Sequence, residues 1–305
     1  MTWQRQTLGL ALGLAFLSGA LRAGEILSSF PDRVLFVAKF NVDKVKQVPP
    51  VKQALGTQIS KVASFIGQIR NWTGVDLETV KTFWIGVEKK DFAVIVLEGR
   101  FDIEVVKAAL AKIPTAQTIP KKDVPIMVQL PDDKNPGKFN MAAVLNPTTL
   151  VFGQPGLTES FVDVYSGASP STNAAVQPQL AVLKDSQALL HGVIFGLDPA
   201  ELQKTPFLAY LERGELKGDL DKDLLLSLAV GVKKPEMLQS LAKAADGVLG
   251  FMRQMEPTTP SGNQGEAVKR RLLENVTVTV ENDRVVLRSK LDEALLSELI
   301  GGKLQ

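Results

Sequence analysis

The sequence predicts an α+β fold made of two tandem copies of one β-α-β-β-α-β-β-α unit, with antiparallel sheets covered by helices. Three observations carry this. Phe40-Asn41-Val42-Asp43 leaves a β-branched apolar run, and Phe195-Gly196-Leu197-Asp198 leaves a similar run about a hundred and fifty residues later. Later landmarks recur in the same order. The strand-like runs are joined by short turns, which implies antiparallel pairing, and their alternating apolar positions imply a sheet face covered by helices.

In the first copy, Val34 to Phe40 is β-branched and aromatic and follows Pro31, the pattern of a buried strand. Asp43 opens a polar turn. After Pro49-Pro50, the residues Val51, Leu55, Ile59, Val62, Ile66 and Ile69 recur every three or four positions, an apolar stripe along one helix face. Thr82 to Val87 and Phe92 to Leu97 flank the charged turn Glu88-Lys89-Lys90-Asp91, which signals a hairpin. Asp102 stands where it caps a helix bearing Val105, Val106, Ala109, Leu110 and Ile113. Ile126 to Leu130, Phe139 to Leu145 and Leu150 to Phe152 follow as strands, with turns at Asp132 to Gly137 and Asn146-Pro147-Thr148. A helix from Leu157 to Tyr165 ends the copy at Ser166-Gly167.

The second copy opens with the strand Leu189 to Phe195 and a capping box, Asp198-Pro199-Ala200-Glu201. Its first hairpin strand falls within Gly214 to Leu220, and its second is Leu224 to Val232. Lys233-Lys234-Pro235 leads into a helix lined by Met237, Leu241, Ala245, Val248 and Met252. Val276, Val278 and Val280 alternate with Thr277 and Thr279, turn at Asn282-Asp283, and continue as Val285 to Leu287. A helix from Asp292 to Ile300 closes the copy at Gly301-Gly302. The segments are therefore a signal peptide over 1–23, a first repeat over 24–168, a connector over 169–187 rich in Ser, Ala and Pro, and a second repeat over 188–305.

The signal peptide is read from Arg5, the apolar run Leu8 to Leu17, and the small residues Ser18-Gly19-Ala20 and Leu21-Arg22-Ala23. The stretch is shorter than the ~20 residues of a spanning helix. Secretion or a periplasmic address is expected, the alternative being a protein anchored by this segment left uncleaved. The 305 residues carry 35 Lys+Arg and 33 Asp+Glu. Arg5 and Arg22 leave with the peptide and no acid does, so the remainder is formally neutral. Such a balance gives no electrostatic footprint for nucleic acid. With zero cysteines, disulfides, catalytic thiols and thiolate metal sites are all excluded.

The strand-to-helix passage Val96-Leu97-Glu98-Gly99-Arg100-Phe101-Asp102, with Leu150-Val151-Phe152-Gly153 before a later helix, resembles a group of exported bacterial proteins without an assigned activity. They share a strand ending in Glu-Gly-Arg-Phe-Asp and a duplicated α+β unit. The resemblance implies secretion and duplication. It carries over no catalytic residue, cofactor or metal.

Chemistry is sparse. His191 is the single histidine, in the apolar strand Leu189 to Val193, and a triad or zinc site is hard to build around it. Asp132-Asp133 sits between prolines and reads as a solvated turn. Asp219, Asp221 and Asp223 alternate, but Leu224 stands where a calcium loop requires glycine. No glycine-rich phosphate loop is present. Arg100, at a strand end beside Phe101, is a candidate ligand contact, set against local pairing with Glu98 or Asp102. Trp72 and Trp84 are expected at helix and strand edges. No catalytic set emerges. The expectation is a non-catalytic envelope or periplasmic protein that binds a partner protein, a polymer or an apolar ligand. The alternative is an exported carboxylate-dependent hydrolase.

Overall fold

A computed structural model describes residues 26–47, 75, 79–89, 92–113, 115–131, 139–171, 177–196, 210–220, 223–255, 271 and 273–292. The expected helices over 51–69 and 292–300, the turn 132–137, the capping box at 198–201 and Trp72 lie outside them, wholly or for the most part. Twelve strands among the described residues form one antiparallel sheet: β1 (Phe36–Asn41), β2 (Val80–Lys89), β3 (Phe92–Gly99), β4 (Gln117–Thr118), β5 (Ile126–Pro131), β6 (Phe139–Asn146), β7 (Thr149–Gly153), β8 (Leu190–Ile194), β9 (Leu211–Leu220), β10 (Leu224–Val232), β11 (Val276–Glu281) and β12 (Arg284–Leu291). Their order across the sheet is β11-β12-β10-β9-β8-β1-β2-β3-β7-β6-β5-β4. The fold is thus α+β, with a large antiparallel sheet and few helices.

β1 and β8 meet at the middle, with Val37 opposite Val193 and Lys39 opposite His191. Because side chains alternate along a strand, the register sorts residues into two faces. On one face Trp84, Val37, Val96, Val151, Met141 and Met127 form a core with Phe30 and the helices α3 (Pro155–Tyr165) and α4 (Gln177–Lys184). On the other, Leu97, Val128, Val144 and Leu150 pack beneath α2 (Ile103–Leu110) through Val106 and Leu110. The second face continues to β11 and β12, where α5 (Leu238–Met255) covers Val278, Val285 and Leu287.

Local chemistry explains most of these elements. Asp102 accepts from the backbone N–H groups of Glu104 and Val105, which satisfies donors that α2 would otherwise leave bare. Pro155 opens α3 at a position where a missing N–H costs nothing. Gly86 lies under the Phe30 ring, where an added methyl would come within 2.6 Å of it.

Four features depart from the sequence reading. Asp43 lies in the first turn of a short helix, α1 (Val42–Gln47), because the Asn41 side chain accepts from the Lys44 N–H and holds the chain in a helical turn. The connector contains α4, whose Leu180 and Leu183 are buried in the core. The first hairpin strand of the second half begins at Leu211, three residues earlier than expected. Trp84 is not at an edge: it is 0% exposed in the middle of β2. No helix among the described residues is long and apolar enough to cross a membrane.

Candidate functional site

Two places gather functional side chains. The first is a cavity of about 760 Å³ at the β4 end of the sheet. Its wall is built from the end of α2 (Lys107, Leu110) and its C-cap Ala111, from Ile113 and Ala116, from Thr118 at the end of β4 and the stretch Ile119 to Lys122 after it, and from Val124 to Val128 entering β5. Leu110, Ile126, Met127 and Val128 are buried core residues that also face this space. The turn between the two lining stretches passes through Asp123, whose φ of 61° is left-handed, a conformation aspartate tolerates.

The charged side chains of the cavity lining are of one sign. Lys107, Lys121 and Lys122 line it, and no carboxylate does among its described lining residues. Lys121 is paired with Asp163 of α3, while Lys122 is exposed. The geometry is an apolar pocket with a basic mouth, within the usual 300–1,000 Å³ of small-molecule sites.

The second place is a polar row on the sheet face that carries Trp84. His191, 6% exposed, places Nε2 2.9 Å from Glu215 Oε1, and Arg284 donates to Glu215 Oε2 at 2.8 Å. Burial alone would raise the Glu215 carboxyl, but the hydrogen bonds from Arg284 and His191 outweigh it and hold it below its ordinary value. Nε2 is then the donor to an ionised carboxylate, while His191 Nδ1 is buried without a hydrogen-bond partner. A carboxylate-oriented imidazole acts as a base only if its other nitrogen reaches a substrate. Here the trio ties β8, β9 and β12 together across β10. Beside it, the Lys39 ammonium donates to the carbonyls of Lys184 and Ser186, both at 3.0 Å, and lies 5.4 Å from the Trp84 ring centre. Burial pushes Lys39 below its usual value, against the raising influence of Glu98 and Asp185.

The depressed Glu215 gives a pH prediction. Its contribution is present above the unfolded carboxylate value and is lost as pH falls through the lower folded value. Glu215→Gln should therefore cost about 1–2 kcal/mol near neutral pH, a figure reduced because the carboxylate is a third exposed. The gap to wild type should close as both are acidified below about pH 4. Urea midpoints across that range check it; a constant gap would contradict it.

Arg100 is exposed at the end of β3, and its backbone N–H donates to Thr79. Glu98 instead accepts from Trp84 Nε1 at 2.6 Å, and Asp102 is committed to the helix cap, so neither supplies the expected ion pair. Arg100 does not line the cavity. Asp219 pairs with Lys44 at 2.9 Å and Asp223 with Lys290 at 2.7 Å, while Asp221 lies outside the described residues. The structure thus separates the expected candidates rather than gathering them. The cavity lysines were missed because they are scattered surface residues in sequence. The Glu215–His191 contact was readable only through the β8–β9 register, which sets His191 opposite Lys217 and Glu215 one step along the same face.

The fold and site together define an α+β protein with a basic-mouthed apolar cavity. No protein-family model and no curated protein sequence matches the chain. Among solved structures, crystal form III of TP0453 is 11% identical with a TM-score of 0.49, covering 90% of this chain and 97% of that one. Crystal form IV (11%, TM-score 0.48) and crystal form I (10%, TM-score 0.47) each cover 90% of this chain and 96% of theirs. At that likeness nothing about ligand or partner transfers.

Proposed function

We propose that this is an exported, non-catalytic envelope or periplasmic protein that holds an apolar ligand with an anionic head in the cavity between α2 and β5. The observation that carries the reading is the lining: an apolar wall with three lysines and no described acid. An acyl chain would exchange water for Leu110, Ile113 and Ile126, and a carboxylate or phosphate would be held by Lys107 and Lys122, Lys121 being paired with Asp163. The carboxylate-dependent hydrolase has less support. Of the described carboxylates with displaced values, Glu215, Asp219 and Glu281 are all held low by cations, and none lines the cavity. A general acid needs the opposite displacement.

The export reading rests on the Leu8 to Leu17 run and the small residues after it, with the uncleaved anchor as the alternative. We further read the fold as two copies of one unit, as the Glu-Gly-Arg-Phe-Asp resemblance implies. Outward from the central seam the order is β1-β2-β3-β7-β6 on one side and β8-β9-β10-β12-β11 on the other, which supports this. The registers agree as well. Phe152 lies opposite Ile95 and Ala142, and Leu287 opposite Leu228 and Val278.

The binding reading is tested with purified protein and a dansyl-labelled fatty acid, displaced by a long-chain fatty acid or by the matching alcohol. Saturable binding is expected, abolished by Ala116→Trp, whose bulk replaces a half-buried lining side chain. Lys122→Glu should weaken the acid about fivefold and leave the alcohol nearly unchanged, since one charge contact at an exposed mouth is worth about 1 kcal/mol. Equal binding by wild type and Ala116→Trp would sink the proposal.

A further inference from the structure

The two ends of the sheet are built differently. At one end β4 is only two residues long and Pro120 follows shortly after, the usual way of blunting an edge. At the other end β11 presents six residues, Val-Thr-Val-Thr-Val-Glu, without a proline, a lysine or a bulge. Among the described residues no strand pairs with its outer side. An edge of this kind is a template for another strand.

Its sequence says which strand fits. Val276 to Val280 reads the same in both directions, so an antiparallel copy centred on Val278 sets Val276 against Val280, Thr277 against Thr279, and Val278 against itself. Glu281 then meets Asn275, and no like charges oppose one another. A two-fold interface requires such self-complementarity, because both partners present the same patch. On the outer side of β11, Arg253 of α5 donates to one lone pair of the Val276 carbonyl at 2.6 Å, so the outer groups that are fully open are those of Val278 and Val280.

The helix above the edge points the same way. α5 lies chiefly over β11, and its Val248 and Phe251 are 58% and 61% exposed, while Leu249 between them is buried. A two-fold axis perpendicular to the sheet brings both α5 helices to the same face, one on each side of the seam. There each shields apolar surface of the other. We infer that β11 is a dimerisation edge: two copies of this chain join antiparallel through β11, with Val278 on the two-fold axis and the α5 helices side by side.

The chain has no cysteine, so the register can be tested directly in the full-length protein. Thr277→Cys and Thr279→Cys are exposed positions on the face away from α5. Directly opposed residues in an antiparallel pair lie within disulfide reach, whereas the diagonal neighbours do not. Mixing the two variants under mild oxidation should give a disulfide-linked dimer, and each variant alone should stay uncross-linked. Wild type should run as a dimer by light scattering, and Val280→Pro, which removes a donor on the outer side of β11 and leaves the bonds to β12 in place, as a folded monomer. A monomeric wild type overturns the proposal, as does cross-linking of Thr277→Cys with itself in place of the mixed pair. A dimer that persists in Val280→Pro without mixed cross-links places the interface elsewhere and overturns it too.

Discussion

Replacing Trp84 with alanine should destabilise the protein more than any other single truncation on the sheet. The side chain is fully buried among Val37, Val96 and Val151, so its removal leaves a cavity as well as lost burial, together about 3–5 kcal/mol. Two polar groups lose a partner at the same time. Glu98 loses the indole N–H at 2.6 Å, and the Lys39 ammonium loses the ring beside it. Because domains are stable by only about 5–15 kcal/mol, the variant should be partly unfolded at moderate temperature. Trp84→Phe separates the contributions. It keeps most of the bulk and should cost about 1–3 kcal/mol, largely the lost hydrogen bond from the indole to Glu98. Urea unfolding followed by circular dichroism measures both. A loss below about 1 kcal/mol for Trp84→Ala would mean that the site collapses without penalty, contrary to the packing described.

Gly153→Ala should be of comparable severity for a different reason. Gly153 ends β7 between β3 and β6, opposite Val94 on one side and Met141 on the other, with φ at 154°. A Cβ there would strike the Ala93 carbonyl and come within 2.9 Å of Val94 Cα. Both obstacles are backbone, so no rotamer relieves them. The Ala93 carbonyl also accepts from Gln154, so moving it loses the bond that leads into α3. Strain at such a position is about 1–3 kcal/mol, and displacing the strand adds to it, for a total near 3 kcal/mol or more. Gly167→Ala is the control. That glycine also has positive φ, 74°, but nothing lies within 4 Å of its added carbon. It should cost only about 1 kcal/mol. Equal losses at the two positions would show that φ alone, and not the close approach of β3, sets the cost at Gly153.

These residues also show where sequence reading stops. Runs such as Phe92 to Leu97 and Val276 to Val280 announce strands because alternation is local, and Asp102 announces a helix because a cap needs only the next three residues. Trp84 was expected at a strand edge, and its own run, Thr82 to Val87, does not show what lies across the sheet. Its burial comes from Lys39 opposite on β1 and from Val96 on β3, and the β1 partner is more than forty residues away. The helix Gln177–Lys184 was hidden in the Ser- and Pro-rich connector because only Leu180 and Leu183 reach the core. The cavity was invisible for the same reason. Its apolar wall is ordinary core, and its lysines acquire meaning only when α2 and the start of β5 stand on either side of one space.

The seam between β1 and β8 bears on how the molecule is made. Lys39 and His191 are neighbours there, although about 150 residues of chain separate them. Closing so long a loop is entropically expensive, and pairings of high sequence separation form slowly. Synthesised from its amino end, the first half can complete its own ladder from β2 onward while β1 keeps one side bare until β8 emerges. For that interval Val37 to Phe40 is an unprotected template at the heart of the future sheet. A chaperone that shields the open strand until β8 is available would raise the yield of folded protein.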